Sequence, residues 1–162
     1  TMPIHRMNLE FWSKIMRTNL DGVFLGIREA LPGMRENNYG RIITISSIAG
    51  LKGLKYGAAY SASKHAIIGL TKTISEEYMS TGITANDICP GYVRTPIVDR
   101  NRDLIAKRSN LTNEEAEKAM SQDNRHKRLI EINEITCAAE YIVNSHSESF
   151  NGQTIEIAGG QI

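Results

Sequence analysis

The sequence predicts an α/β fold in which parallel strands alternate with crossover helices. Three observations predict it. Apolar residues at helical spacing alternate with short β-branched runs along the chain. Each connection between successive runs is long enough to hold a helix, as parallel strands require. Turn-forming residues, Gly50 and Pro90-Gly91 among them, follow the first two runs, where such sheets place their ligands.

The elements follow in order. Glu10 to about Met34 reads as one helix, with Phe11, Ile15, Met16 and Leu20 on one face. Asn37-Asn38-Tyr39-Gly40 reads as its stop. Arg41-Ile42-Ile43-Thr44-Ile45 reads as a strand buried on both faces, because its β-branched run is nearly continuous. A Gly-containing loop, 49–57, leads to a second helix from Tyr60 to Thr81, ended by Gly82. Ile83 to Cys89 is the second strand, stopped by Pro90-Gly91. Residues 100–128 are charged and poor in apolar residues, and read as one or two short amphipathic helices. The capping-box spacing of Thr112-Asn113-Glu114-Glu115 fixes one helix start. Glu134 to Val143 is a further helix, and Thr154-Ile155-Glu156-Ile157 is the last strand.

At 41% hydrophobic and 23% charged, the 162 residues can bury a core as a single domain, 1–162. A formal net charge of +1 gives no long-range field toward nucleic acid or membranes. Arg125-His126-Lys127-Arg128 reads as a solvated helix end. No apolar run approaches the ~18 residues of a membrane span. The start of the chain does not read as a signal peptide. Cys89 and Cys137 have neither framework nor metal spacing, so two reduced thiols and a cytoplasmic protein are expected. His5, His65, His126 and His146 are scattered, with no metal-ligand pattern.

Chemistry concentrates on a few residues. Tyr60 and Lys64 stand at i, i+4, a spacing that puts both on one helix face. A free tyrosine is a poor acid or base at neutral pH, and a neighbouring ammonium favours its phenolate. Ser47 closes the first strand, 13 residues before Tyr60, where a hydroxyl can share charge developing on a reacting oxygen. Asn19 lies inside a helix, where its amide competes for backbone groups, bends the helix or holds a water. Taken one at a time, a Ser-Ser turn and a surface Asn explain Ser47 and Asn19 better, and Tyr60 and Lys64 can be an ordinary exposed helix pair.

Together they carry a resemblance. Asn19-Leu20-Asp21-Gly22-Val23-Phe24, Ser46-Ser47 with Gly50, Tyr60-Ser61-Ala62-Ser63-Lys64 and Pro90-Gly91-Tyr92-Val93-Arg94-Thr95 occur in this order and at matching intervals. The pattern resembles the short-chain dehydrogenase/reductase family over essentially the whole chain. The resemblance implies a Rossmann-like, doubly wound parallel sheet whose N-terminal βαβ half is missing from this chain. It implies an NAD- or NADP-dependent oxidoreductase that interconverts a secondary alcohol and a ketone. Tyr60 would be the acid/base. Lys64 would support its phenolate and bind the nicotinamide ribose. Ser47 would polarise the substrate oxygen, and Asn19 would hold a relay water behind Lys64. Pro90, Gly91, Val93 and Thr95 would meet the nicotinamide carboxamide. Residues 96–128 would form a substrate lid. The helices carrying Asn19 and Tyr60 would pair subunits into a homodimer or homotetramer.

Residues 82–98, with the insert around Leu111-Thr112-Asn113, are similar to the 3-hydroxybutyrate dehydrogenase branch. That branch clasps a carboxylate at positions that here carry Ala49, Gly57, Tyr92 and Asn101. Its cations and donors are lost, and Lys55 is out of register. A 3-hydroxy acid is therefore one substrate candidate among secondary alcohols. The family's Gly-rich pyrophosphate turn does not occur in the sequence, so the chain is expected to be truncated and inactive alone. A fragment, a truncated gene product and a natural short protein all fit. The competing reading is a non-catalytic remnant acting as an interaction module or subunit partner.

Overall fold

A computed structural model describes residues 1–122 and 124–162. Asn8 starts the first helix, α1 (Leu9–Met16), by accepting a hydrogen bond from the Phe11 amide at 2.8 Å. A π-turn over Arg17–Asp21 follows, and α2 (Gly22–Glu36) continues the same helical run. The predicted single helix is thus present, and the unfavourable mid-helix Asn19 falls inside its irregular turn. Asn38, at φ 45°, turns the chain into β1 (Gly40–Ile45). A short 3-10 turn (Ile48–Gly50) leads to α3 (Ala58–Glu77), β2 (Ile83–Pro90), α4 (Pro96–Ser109) and α5 (Asn113–Ser121). Then come α6 (Ile132–Val143) and β3 (Thr154–Ile157).

The strands form one parallel sheet in the order β1-β2-β3, with Ile42 opposite Ala85 and Ile88 opposite Ile155. Side chains alternate between faces, so Ile42 shares a face with Ala85 and Thr44 with Asp87. On that face Ile42, Ile74, Ile83 and Ala85 form a core with Ile27, Leu31, Met34 and Leu70 from α2 and α3. Helix α6 packs on the other face.

Two expectations change. β2 is buried along its whole length, whereas β1 buries only Gly40, Ile42 and Thr44. Its other face is half-covered, and Ile45 is 49% exposed, because α6 shields β1 only in part and β1 lies at the sheet edge. A β-branched run alone does not report how much lies above it. Helix α3 also ends at Tyr78 rather than Gly82: Thr81 folds back with its amide and hydroxyl on the Tyr78 carbonyl, at 3.0 and 2.7 Å. Gly82 is needed for close approach instead, since a Cβ there would lie 2.1 Å from the Asn38 carbonyl oxygen.

The stretch after β2 folds as two helices. Thr112 and Glu115 complete the reciprocal capping box at the start of α5. Arg94, in the loop after β2, ties this region down by reaching Glu117 at 2.9 Å and Glu131 at 3.2 Å. Partly exposed pairs of this kind contribute little stability each, so their effect is mainly to orient the helices.

Candidate active site

The strand ends position the site. β1 runs out into Ser46 and Ser47, and β2 into Pro90 and Gly91, so both carboxyl ends open on one side of the sheet. Two bonds fix α3 against them. The Ser46 hydroxyl donates to the Lys64 carbonyl at 2.9 Å, and the Lys64 ammonium donates to the Ile45 carbonyl at 2.7 Å. On the far side, the Asn19 amide donates to the Ser63 hydroxyl at 3.0 Å, and Ser63 donates to the Tyr60 carbonyl at 2.8 Å. The π-turn thereby carries Asn19 onto α3. Gly50 allows the close seat of the loop: a Cβ there would stand 2.5 Å from Ser46 Oγ and 2.9 Å from the Lys64 carbonyl oxygen.

Lys64 Nζ lies 5.7 Å from the centre of the Tyr60 ring, as the i, i+4 spacing requires. Burial holds the Lys64 amine below its ordinary value. Cys89, buried on the same side, has its thiol pushed up by burial and is held in its neutral, inert form. Tyr60 is 36% exposed and, with Ser47, lines a cleft of about 650 Å³. Ser47 Oγ accepts the Ala49 amide at 3.1 Å, which leaves its own proton for an oxygen in the cleft.

Ala49, Gly91, Tyr92 and Asn101 also line the cleft. Gly57 does not: it is buried at the start of α3 against Leu54. Pro90 ends β2, Val93 bridges to Ile130, and Thr95 caps α4 by accepting the Val98 amide. His65 is exposed, with Nδ1 2.9 Å from the Ser61 carbonyl. Several cleft residues escaped the sequence reading, above all Ile97, Leu104, Ile105 and Arg108. Their signal was present: with Asn101 they recur at helical spacing along one face of α4.

The residues at hand fit the reactive end of a nicotinamide nucleotide. An ammonium has three donors, Lys64 spends one on Ile45, and the others remain for a diol beside the Tyr60 hydroxyl. Among the described residues no group of three or more His, Cys, Asp or Glu could hold a metal ion. None of the described helices is long and apolar enough to cross a membrane.

A family model described as short chain dehydrogenase matches residues 1–105. The chain belongs to the short-chain dehydrogenase family. Among its relatives, D-beta-hydroxybutyrate dehydrogenase of Rhizobium meliloti (strain 1021) is 35% identical over 153 residues, which cover 94% of this chain and 59% of that enzyme. Acetoacetyl-CoA reductase of Acinetobacter sp. (strain RA3849) is 36% identical over 155 residues, 96% of this chain and 58% of that enzyme. A variant of actinorhodin polyketide ketoreductase, crystallised with NADPH, superposes with a TM-score of 0.93 at 31% identity, over 99% of this chain and 62% of that one. The chain thus spans roughly three-fifths of the length of these short-chain dehydrogenases.

Proposed function

We propose that the protein is an NAD(P)-dependent oxidoreductase that interconverts a secondary alcohol and a ketone, with a 3-oxygenated acid or acyl compound as substrate. The observation that carries this reading is that Tyr60 and Ser47 face one cleft with the Lys64 ammonium directly behind Tyr60. The three named relatives act, by their names, on a 3-hydroxy acid, a 3-oxoacyl thioester and a polyketide ketone.

NAD or NADP, when bound, would supply or accept the hydride. Lys64 and Tyr60 would hold its ribose, and Gly91 with the following loop its carboxamide. In reduction, Ser47 donates a hydrogen bond to the ketone oxygen and stabilises the charge that builds there. Tyr60 passes its proton to that oxygen, and Lys64 stabilises the phenolate left behind. Oxidation runs the same steps backward. Asn19, through Ser63, fixes the backbone of α3 on which Tyr60 and Lys64 stand. Helices α4 and α5 cover the cleft as a lid and exclude water. The helical run 9–36 has no fully buried side chain and exposes Leu9, Phe24 and Leu25, which supports subunit pairing through this surface.

The test is turnover of 3-hydroxybutyrate and of longer 3-hydroxy acids by the full natural protein with NAD⁺ or NADP⁺, followed by nicotinamide absorbance. Stereoselective reduction of one nucleotide is expected. No reduction with any secondary alcohol would overturn the reading.

A further inference from the structure

The cleft holding Ser47 and Tyr60 has an uneven electrostatic lining. Among the described residues its lining contains two cationic side chains, Lys55 and Arg108, and no carboxylate side chain. The same lining includes the apolar side chains of Ile97, Leu104 and Met120. Among the described residues neither cation is in an ion pair. Lys55 lies over the Tyr56 ring at 5.3 Å, and Arg108 spends none of its donors.

The two cations reach the cleft from different elements. Arg108 stands in the last turn of α4, on the face that carries Asn101 and Leu104 into the cleft. Lys55 stands in a turn closed by the Gly57 amide on the Leu54 carbonyl at 2.8 Å. The next residue, Tyr56, takes φ 64°, a left-handed conformation unusual for a bulky side chain. The fold therefore holds Lys55 at the rim through a strained turn. Arginine is the side chain best matched to planar two-point binding of carboxylate or phosphate.

We propose that Lys55 and Arg108 form an anion subsite that reads the end of the substrate remote from the reacting oxygen. The substrate then has three parts: an oxygen at Ser47 and Tyr60, an apolar stretch along α4, and a carboxylate or phosphate at the two cations. This rests on the oxidoreductase reading above and adds the substrate class. It also separates this chain from a clasp at the positions of Ala49, Gly57, Tyr92 and Asn101.

The test uses the full natural protein and a series of methyl-ketone acids of increasing chain length, beginning with the 3-oxo acid. The series is run with the matching methyl esters and with the same ketones ended in phosphate. KM is expected to be lowest for the anionic probes at one chain length, with the esters weaker. Arg108→Gln and Lys55→Gln should each raise KM for the anionic probes about 10- to 100-fold, the loss expected for a charge-assisted hydrogen bond. Both should shift ester KM and kcat far less than the KM for the anionic probes, and Arg108→Lys should recover part of the loss. A preference for the acid series or the phosphate series identifies the source of the anion. Equal KM for acids and esters, or equal effects of the variants on both, would overturn the subsite. Should the parent protein reduce no ketone, the catalytic reading fails on its own, and calorimetric binding of the acid and ester probes to parent and Arg108→Gln still decides the subsite.

Discussion

Asp87 sits in the middle of β2 with no exposed surface, between strands where an apolar residue would be at home. Thr44 donates to its Oδ1, the Thr71 hydroxyl lies 3.0 Å from that of Thr44, and Oδ2 makes no hydrogen bond. Burial pushes its carboxyl above the ordinary value of 3.8, and the threonine hydroxyls and Lys72 offset this only in part. A carboxyl raised on folding contributes most below its unfolded value, and that contribution is lost as pH rises through the folded one. The parent should therefore lose stability as pH climbs from 3.8 upward. Asp87→Asn removes the charge, so it should be more stable at neutral pH by about 1 kcal/mol, the scale of one buried polar group short of a partner. The margin should shrink on acidification. Urea denaturation of both proteins at several pH values checks this, and a margin that does not change with pH would contradict it. Glu134 has the opposite sign. Arg128 draws its carboxyl down to about 2, so the pairing is lost only as pH falls toward that value. Because this pair is exposed, its worth to stability is small.

At the scale of elements, α5 is the piece most dependent on local chemistry. It is short, it stands in the charged half of the chain, and its start is fixed by Thr112 and Glu115. Thr112→Ala should cost about 1 kcal/mol and appear first as faster amide exchange across α5, with the sheet unaffected. Exchange that is unchanged in α5 would show that Arg94 and its two carboxylates, rather than the cap, hold the lid. The same elements show what the sequence made legible. Caps, strand cores and the Tyr60–Lys64 pair are set by neighbours three or four residues away, so their pattern can be read from the chain. The half-open face of β1, the seat of Gly82 against Asn38 and the bond from Asn19 to Ser63 depend on partners 40 or so residues distant, or on how far α6 reaches, and no local period records them. The cleft falls between these cases. The α4 stripe was periodic, but its partner Lys55 comes from a turn whose direction only the fold defines.

On the scale of the molecule, three strands and six α-helices among the described residues hold the site, with surface left over. Among the described residues β1 pairs on one side only, its Ile45 is half-exposed, and the helical run 9–36 buries no side chain fully. An unpaired edge beside apolar surface promotes association. Residues 1–162 made alone should therefore self-associate, with a sedimentation coefficient that rises with concentration. A single, concentration-independent monomer would contradict this.

The claim on which the rest depends is that Tyr60 moves the proton. The most direct measurement is single-turnover hydride transfer in the full natural protein and its Tyr60→Phe variant, with nucleotide binding measured alongside. The account predicts a rate about 100- to 10,000-fold lower in the variant with nucleotide binding largely retained. A variant that keeps most of the parent rate would show that the proton comes from another group and that the Tyr60–Lys64 pair is structural.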